Sequence, residues 1–282
     1  MNPTNKTFFK TKDFLVTGEE FTLLYDEVRD MLITHPTPER NTLSSYYESE
    51  NYISHTDSRK TFLDKIYHGV KKFALRQKVK LIYARNKSVG KLLDVGAGTG
   101  EFLLRAKQKG WVVFGVEPGK KAAELSKEKG IALSETLEEI KENNFDVITL
   151  WHVLEHLPDL ENQIDLIQNK LKTGGVLIIA VPNYKSYDAR YYKSFWAAFD
   201  TPRHLWHFSK KSIRHIFEPR GFVLQKIKPM FFDAFYVSLV SEKYKTGKSR
   251  WLSAFFVGLI SNMHGCITKE YSSHIYILKK SK

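Results

Sequence analysis

The chain has 282 residues, 42% of them hydrophobic and 13% aromatic, enough for one large domain or a core domain with additions, and this composition excludes intrinsic disorder. A single cysteine, Cys266, excludes an intramolecular disulfide framework and a multi-cysteine zinc site; the apolar runs at 231–240 and 251–260 fall short of a spanning helix of ~20 residues. The net charge of +13 brings anionic partners into view: a phosphate-bearing small molecule, a nucleic acid or a membrane surface. With no apolar signal core behind the first charges, a cytoplasmic protein without a transmembrane segment is expected. Residues 1–45 mix short polar and apolar pieces and end in the turn signal His35-Pro36-Thr37-Pro38. Positions 59–87 hold ten Lys and Arg against one acid, Asp64, with apolar residues at a mostly helical period. Most simply, that stripe is a solvated helix face.

From Lys91 short apolar runs alternate with helical stretches. The spacing predicts strands at 92–95, 112–116, 145–151 and 175–182, with a weaker one at 131–133. Helices are predicted at 101–109, 120–129 and 160–171. Such alternation implies a parallel sheet covered on both faces. Beyond it, Ser209 caps a helix at 210–219, and 222–228 and 274–280 alternate like strands. The apolar stretches 230–240 and 251–263 between them read as helices that pack on the sheet or form a lid; a lipidic or membrane contact is the alternative.

The sharpest local signal is Asp94-Val95-Gly96-Ala97-Gly98-Thr99-Gly100. A buried strand ends in a turn with three alternating glycines, where the backbone must adopt angles that side chains resist and a ligand must approach the main chain. The following helix offers its free amides to that ligand. Dinucleotide enzymes use a similar turn, but Glu101 stands where their fingerprint needs its last glycine or alanine. A carboxylate there suits a ligand carrying ammonium and sulfonium charges. Glu117, ending the second strand, can accept hydrogen bonds from both hydroxyls of a ribose.

In order, LLDVGAGTGEFL (92–103), VEP (116–118), FDVITLWHVLEHLPDL (145–160) and LKTGGVLIIAVPN (171–183) resemble the successive motifs of class I S-adenosylmethionine (SAM)-dependent methyltransferases. The resemblance implies SAM as cofactor, S-adenosyl-L-homocysteine as product, and a cofactor site of Asp94, Gly96, Ala97, Gly98, Gly100, Glu117, Pro118 and Trp151. The acid that many relatives place after the third strand is missing; Glu135, or the backbone of Leu133 and Ser134, stands there. DTPRHL (200–205) with His207-Phe208-Ser209 is similar to a segment of methyltransferases acting on sugars and other small molecules. Segments at 17–21, 34–38 and 46–49 are similar to relatives with a cysteine-rich zinc module, here without its cysteines. The expected fold is α/β: a Rossmann-like, doubly wound, mostly parallel seven-stranded sheet with a helical N-terminal extension and C-terminal insertions. Its divisions are a degenerate module at 1–58, a basic helical cap at 59–90, a SAM-binding core at 91–229, and helices plus a last strand at 230–282.

Methyl transfer needs the acceptor positioned and, for a hydroxyl, its proton removed, which suits histidine near neutral pH. The catalytic candidates are His152 and His204. At helical spacing His152 and His156 share a face beside Glu155, but no third ligand is evident and no metal is expected. Asp200 or Glu155 is expected to hold His204. The function expected is SAM-dependent methyl transfer to a small-molecule acceptor: a sugar, nucleotide sugar or secondary metabolite, with a phosphate as one option. The alternatives are an RNA or protein methyltransferase, or a SAM-binding protein without transferase activity. Nucleic acid is disfavoured, because no aromatic–basic interleaving accompanies the stripe and the fourth strand ends in WHVLEH. A peripheral membrane contact is likewise disfavoured.

Overall fold

The computed structural model describes residues 6–39, Thr42, Tyr46 and 62–281; the sequence features at 47–49 and the basic positions 59 and 60 lie outside these. Residues 6–35 are strands, in place of the expected helical extension. β1 (Lys6–Lys12), β2 (Glu20–Asp26) and β3 (Met31–His35) form an antiparallel meander. Local chemistry explains the turns. The Asp13 carboxylate accepts from the amides of Leu15 and Thr17 at 2.9 and 3.0 Å, and Asp26 accepts from the Arg29 amide at 3.0 Å. These side chains offer the backbone a turn instead of a helix. On β2 the period is two, so Phe21 and Leu23 point inward together.

Helix α1 (Phe62–Asn86) leads into the central sheet. There β4 (Lys91–Val95), β5 (Val112–Val116), β6 (Phe145–Trp151) and β7 (Leu171–Pro182) run parallel in the order β5-β4-β6-β7. The two-residue strand β8 (Trp206–His207) extends the amino-terminal meander by pairing with β3. β9 (Phe222–Pro229) and β10 (Ser273–Lys280) finish the central sheet, with β10 antiparallel between β7 and β9. Among the described residues the sheet has six strands instead of seven. At the place of the expected third strand the structure has one parallel bridge, Val116 to Ser134, because only Ser134 exchanges backbone hydrogen bonds with its neighbours Gly115 and Glu117.

The connecting helices are α2 (Glu101–Lys107), α3 (Lys120–Glu128), α4 (Leu160–Lys170), α5 (Tyr187–Tyr192) and α6 (Lys210–Phe217). Alternate strand residues feed two cores, as the pleat dictates. Leu93, Ile148 and Leu150 join Ile164, Ile167 and Ile213 on one face; Leu92, Val147 and Trp151 join Ile82 and Phe102 on the other. Ser209 and Ser212 close a reciprocal capping box at the start of α6.

Two further helices, α7 (Phe231–Thr246) and α8 (Trp251–Thr268), form a hairpin between β9 and β10. They were expected to pack on the sheet or form a lid, with a lipidic or membrane contact as the alternative; their small residues face inward and the large ones face out. By length and composition alone α8 could cross a membrane. Its connection argues for another placement, since β10 pairs with β7 inside the sheet within a few residues of its end.

Candidate active site

The glycine loop sits at the carboxyl ends of β4 and β5, where ligands of this topology lie. The amides of Gly96 and Ala97 both donate to the Val116 carbonyl, at 2.8 and 2.9 Å, which fixes the loop to the next strand. Gly98 has φ +54°, and a Cβ there would meet nothing within 4 Å. Packing therefore leaves space over Gly98, a cradle that a side chain would fill. The Glu117 carboxylate spans this turn: one oxygen accepts from the Gly98 amide at 2.8 Å, the other from the Gly119 amide at 2.9 Å. Pro118, beside it, is exposed.

Asp94 is buried and accepts from the Thr149 hydroxyl at 2.6 Å. Burial drives its carboxyl up to about 7, against the Thr149 hydrogen bond and the nearby Lys78 ammonium. Lys78 was not singled out by the sequence. It is one base among ten, yet it turns in, with its Nζ 4.4 Å from the Trp151 ring centre, and burial lowers its pKa while Asp94 and Asp233 oppose that shift. The Trp151 indole N–H is buried and unpaired. An open cradle, paired acceptor oxygens and a desolvated ammonium fit a ligand with ribose hydroxyls and a carboxylate.

His152 follows Trp151 with φ +58°, a left-handed conformation that costs a non-glycine residue energy and often marks functional sites. It does not share a helical face with His156, because the helix expected there is a three-residue 3-10 turn from Leu154 to His156. The His152 ring is about a third exposed, with Nδ1 3.4 Å from Glu155 Oε1 and Nε2 3.3 Å from Asp233 Oδ2. Burial opposes its charge, but the contacts to Asp233 and then Glu155 outweigh this and raise its pKa to about 10. Asp233 also escaped the sequence; the one signal for it was an acid inside an apolar stretch.

His204 lies deeper. It is 8% exposed, its Nδ1 is 2.8 Å from the Ala198 carbonyl oxygen, and its Nε2 is 4.0 Å from Asp200. His156 packs edge-on against it, with ring centres 4.5 Å apart and Nδ1 3.0 Å from the Arg203 carbonyl oxygen. Burial, reinforced by His204, lowers His156 to about 4. Glu155 ties both groups together. Burial disfavours its anion, yet His152 and then His204 hold its pKa below the usual carboxylate range. The pair considered from the sequence, His152 and His156, is not the one brought together: one ligand-type atom each from Glu155, His156 and His204 lies within 4.8 Å of the others, a grouping of a kind that could hold a cation.

Comparison with known proteins gives the family. A family model described as a methyltransferase domain matches residues 68–227, more than half of the chain. The ubiquinone biosynthesis O-methyltransferase of Vibrio atlanticus is 33% identical over 125 residues, covering 39% of this chain and 53% of that one. An uncharacterized methyltransferase of Bacillus mycoides is 30% identical over 111 residues, covering 37% and 52%. The matches thus span about half the length of these curated relatives. Among solved structures, magnesium protoporphyrin IX methyltransferase from Synechocystis with bound S-adenosylhomocysteine has TM-score 0.58 at 16% identity, covering 86% of this chain and 100% of that one. The Burkholderia thailandensis 1,6-didemethyltoxoflavin-N1-methyltransferase has TM-score 0.54 at 13% identity, covering 96% and 100%. These last likenesses give the fold, and the family model gives the kinship: the chain belongs to the methyltransferase-domain family, within the class I SAM-dependent methyltransferases.

Proposed function

We propose that this chain transfers the methyl group of SAM to an oxygen or nitrogen of a small-molecule acceptor, a sugar, nucleotide sugar or secondary metabolite, with His152 receiving the acceptor's proton. The observation that carries the reading is the His152 ring, with Nδ1 3.4 Å from Glu155 Oε1 and Nε2 3.3 Å from Asp233 Oδ2. Asp233 occupies the position from which an acceptor's O–H or N–H would approach, and a carboxylate behind the ring is the usual orienter of such a base. His204 acts through Glu155 as a positioning residue. The match to a relative named for O-methylation supports the acceptor class.

SAM, when bound, supplies a methyl group already activated on a sulfonium. The residues that would hold it are Asp94 and the loop of Gly96, Ala97, Gly98 and Gly100 for the methionine part, with Lys78 for its carboxylate. Glu117 would take the ribose, with Pro118 and Trp151 bordering. Glu117→Ala removes the ribose acceptor and also frees the amides of Gly98 and Gly119. SAM affinity should fall ~10–100-fold, about 1.5–3 kcal/mol. Calorimetry giving an unchanged dissociation constant on a folded variant would contradict the assignment.

The proton chemistry is tested by nuclear magnetic resonance titration of the His152 ring. While Asp233 faces Nε2 the ring stays charged through neutral pH and titrates near 10. It can receive a proton only once the acceptor displaces Asp233 and Nε2 is deprotonated, so turnover should rise toward alkaline pH. Its folded pKa lies above the ordinary 6.5, so its pairing stabilises the fold fully below 6.5 and loses that effect as pH rises through about 10. Asp233→Asn removes an opposite charge, favours the neutral ring and should lower the pKa by at least about one unit. A pKa that stays put in the variant means that Asp233 does not address the ring, and the base assignment falls with it.

A further inference from the structure

We propose that the α7–α8 hairpin is a docking face for an anionic bilayer, with both helices lying in the plane of the interface. The first observation is a reversal of the usual pattern for a helix on a folded domain. On α8 the inward positions are Ala254, Val257, Gly258, Ser261 and Gly265, all but valine very small. A Cβ on Gly258 would lie 3.0 Å from the Phe235 Cα, so the small face exists to let α8 approach α7 closely. The outward positions are Leu252, Phe255, Phe256, Leu259, Met263 and Ile267, with Met263 60% and Ile267 84% exposed. On α7, Phe232, Tyr236 and Leu239 form the same kind of outward stripe. Exposed apolar patches of this extent mark interaction surfaces.

Charge selects the partner. Within residues 231–268 every exposed charged residue is basic: Lys243, Lys245, Lys248 and Arg250. The two acids are turned away, Asp233 toward His152 and Glu242 into the core at 2% exposure. Lys243 continues the α7 stripe at the next turn. The patch reaches α1 through Phe73, half exposed and edge-on to Phe232 at 6.2 Å, and Arg76 and Lys80 follow Phe73 on the same helical face. Trp251, 68% exposed, adds an amphipathic ring of the kind found at headgroup level. A largely apolar face whose fully exposed charges within 231–268 are all cations attracts an anionic lipid surface and disfavours a second copy of itself.

The hairpin cannot span a bilayer while the sheet stands. The Met230 amide at its start donates to the Ser273 carbonyl at 3.1 Å, joining both ends to neighbouring strands. Ser261, in mid-helix, donates to the buried Asp188 carboxylate at 2.7 Å. The hairpin therefore lies along the domain and presents one side. Asp233, near the start of α7, faces His152, so the docked face borders the mouth of the candidate site.

The test is cosedimentation of the full chain with phosphatidylcholine vesicles, with and without phosphatidylglycerol at about a third of the lipid. Binding is expected to the anionic vesicles, at least ~10-fold weaker to the neutral ones and weakened by salt. The double variant Phe255→Ser, Phe256→Ser alters two outward rings, so its thermal melt should match the wild type while vesicle affinity falls at least ~10-fold. Lys243→Glu with Arg250→Glu should lower binding to anionic vesicles alone. Three results would overturn the proposal: no sedimentation with either vesicle, unchanged affinity in the phenylalanine variant, or light scattering that reveals a dimer dissolved by that variant without vesicle binding. The second would mean bulk charge acting alone, and the third a second copy as the occupant.

Discussion

Replacing Arg203 with methionine should destabilise the fold by about 3–5 kcal/mol, the usual cost of removing one partner from a buried ion pair. Arg203 is 1% exposed and joins two distant parts of the chain. Its guanidinium donates to Asp13 at 3.0 Å and to Asp200 at 2.7 Å, tying the β1–β2 turn to the DTPRHL segment. The Asp13 carboxylate also caps its own turn, and although burial opposes its charge, Arg203 and the turn amides hold its pKa below the usual value. Methionine keeps the bulk and strands two carboxylates. Urea unfolding should therefore show a lower midpoint with a similar slope. Adding Asp13→Asn to the variant should restore part of the loss, because one stranded charge disappears. A loss below about 1 kcal/mol would mean that solvent screens these groups far more than their burial implies.

His152→Asn should cut turnover about 10²–10⁴-fold while leaving SAM affinity within about twofold, since a positioned general base contributes on that scale. Asparagine is the replacement of choice because it tolerates the left-handed backbone at this position better than other polar residues. A change in cofactor affinity would instead indicate a collapsed loop. The companion His204→Gln separates the two histidines named from the sequence. His204 is buried behind Glu155 and bound to the Ala198 carbonyl, so its loss should shift the rate profile with pH and lower stability while most turnover survives. Full turnover in His152→Asn, once an acceptor is found among sugars and secondary metabolites, would return the base role to His204.

Much of the proposed cofactor side is local. Asp94, Gly96, Gly98, Gly100 and Glu117 lie on two successive strand ends, and the strand–turn–helix order brings them together without help from the rest of the chain. The four parallel strands were legible as apolar runs, and Ser209 as a cap, for the same reason. The third strand was misjudged because three apolar residues after Gly130 supply hydropathy but not the backbone pairing of a strand, which reached only Ser134. The amino-terminal meander was missed because its turns depend on single Asp side chains, Asp13 and Asp26, within a stretch of weak hydropathy contrast.

The sequence by itself determined the family, the glycine loop and the succession of parallel strands along the chain, since each is written in residues close along the chain. Tertiary structure alone decided which charges meet. Asp233 reaches His152, Lys78 turns onto Trp151, and Asp13 finds Arg203 across 190 positions. It also decided which side of α8 faces inward. Periodicity groups Ala254, Val257, Gly258 and Ser261 against Phe255, Phe256 and Met263, but hydropathy would bury the second group. Close approach to α7 requires the first, because only small side chains let two helix backbones come so near, and the large apolar face is left outside as the price of that contact.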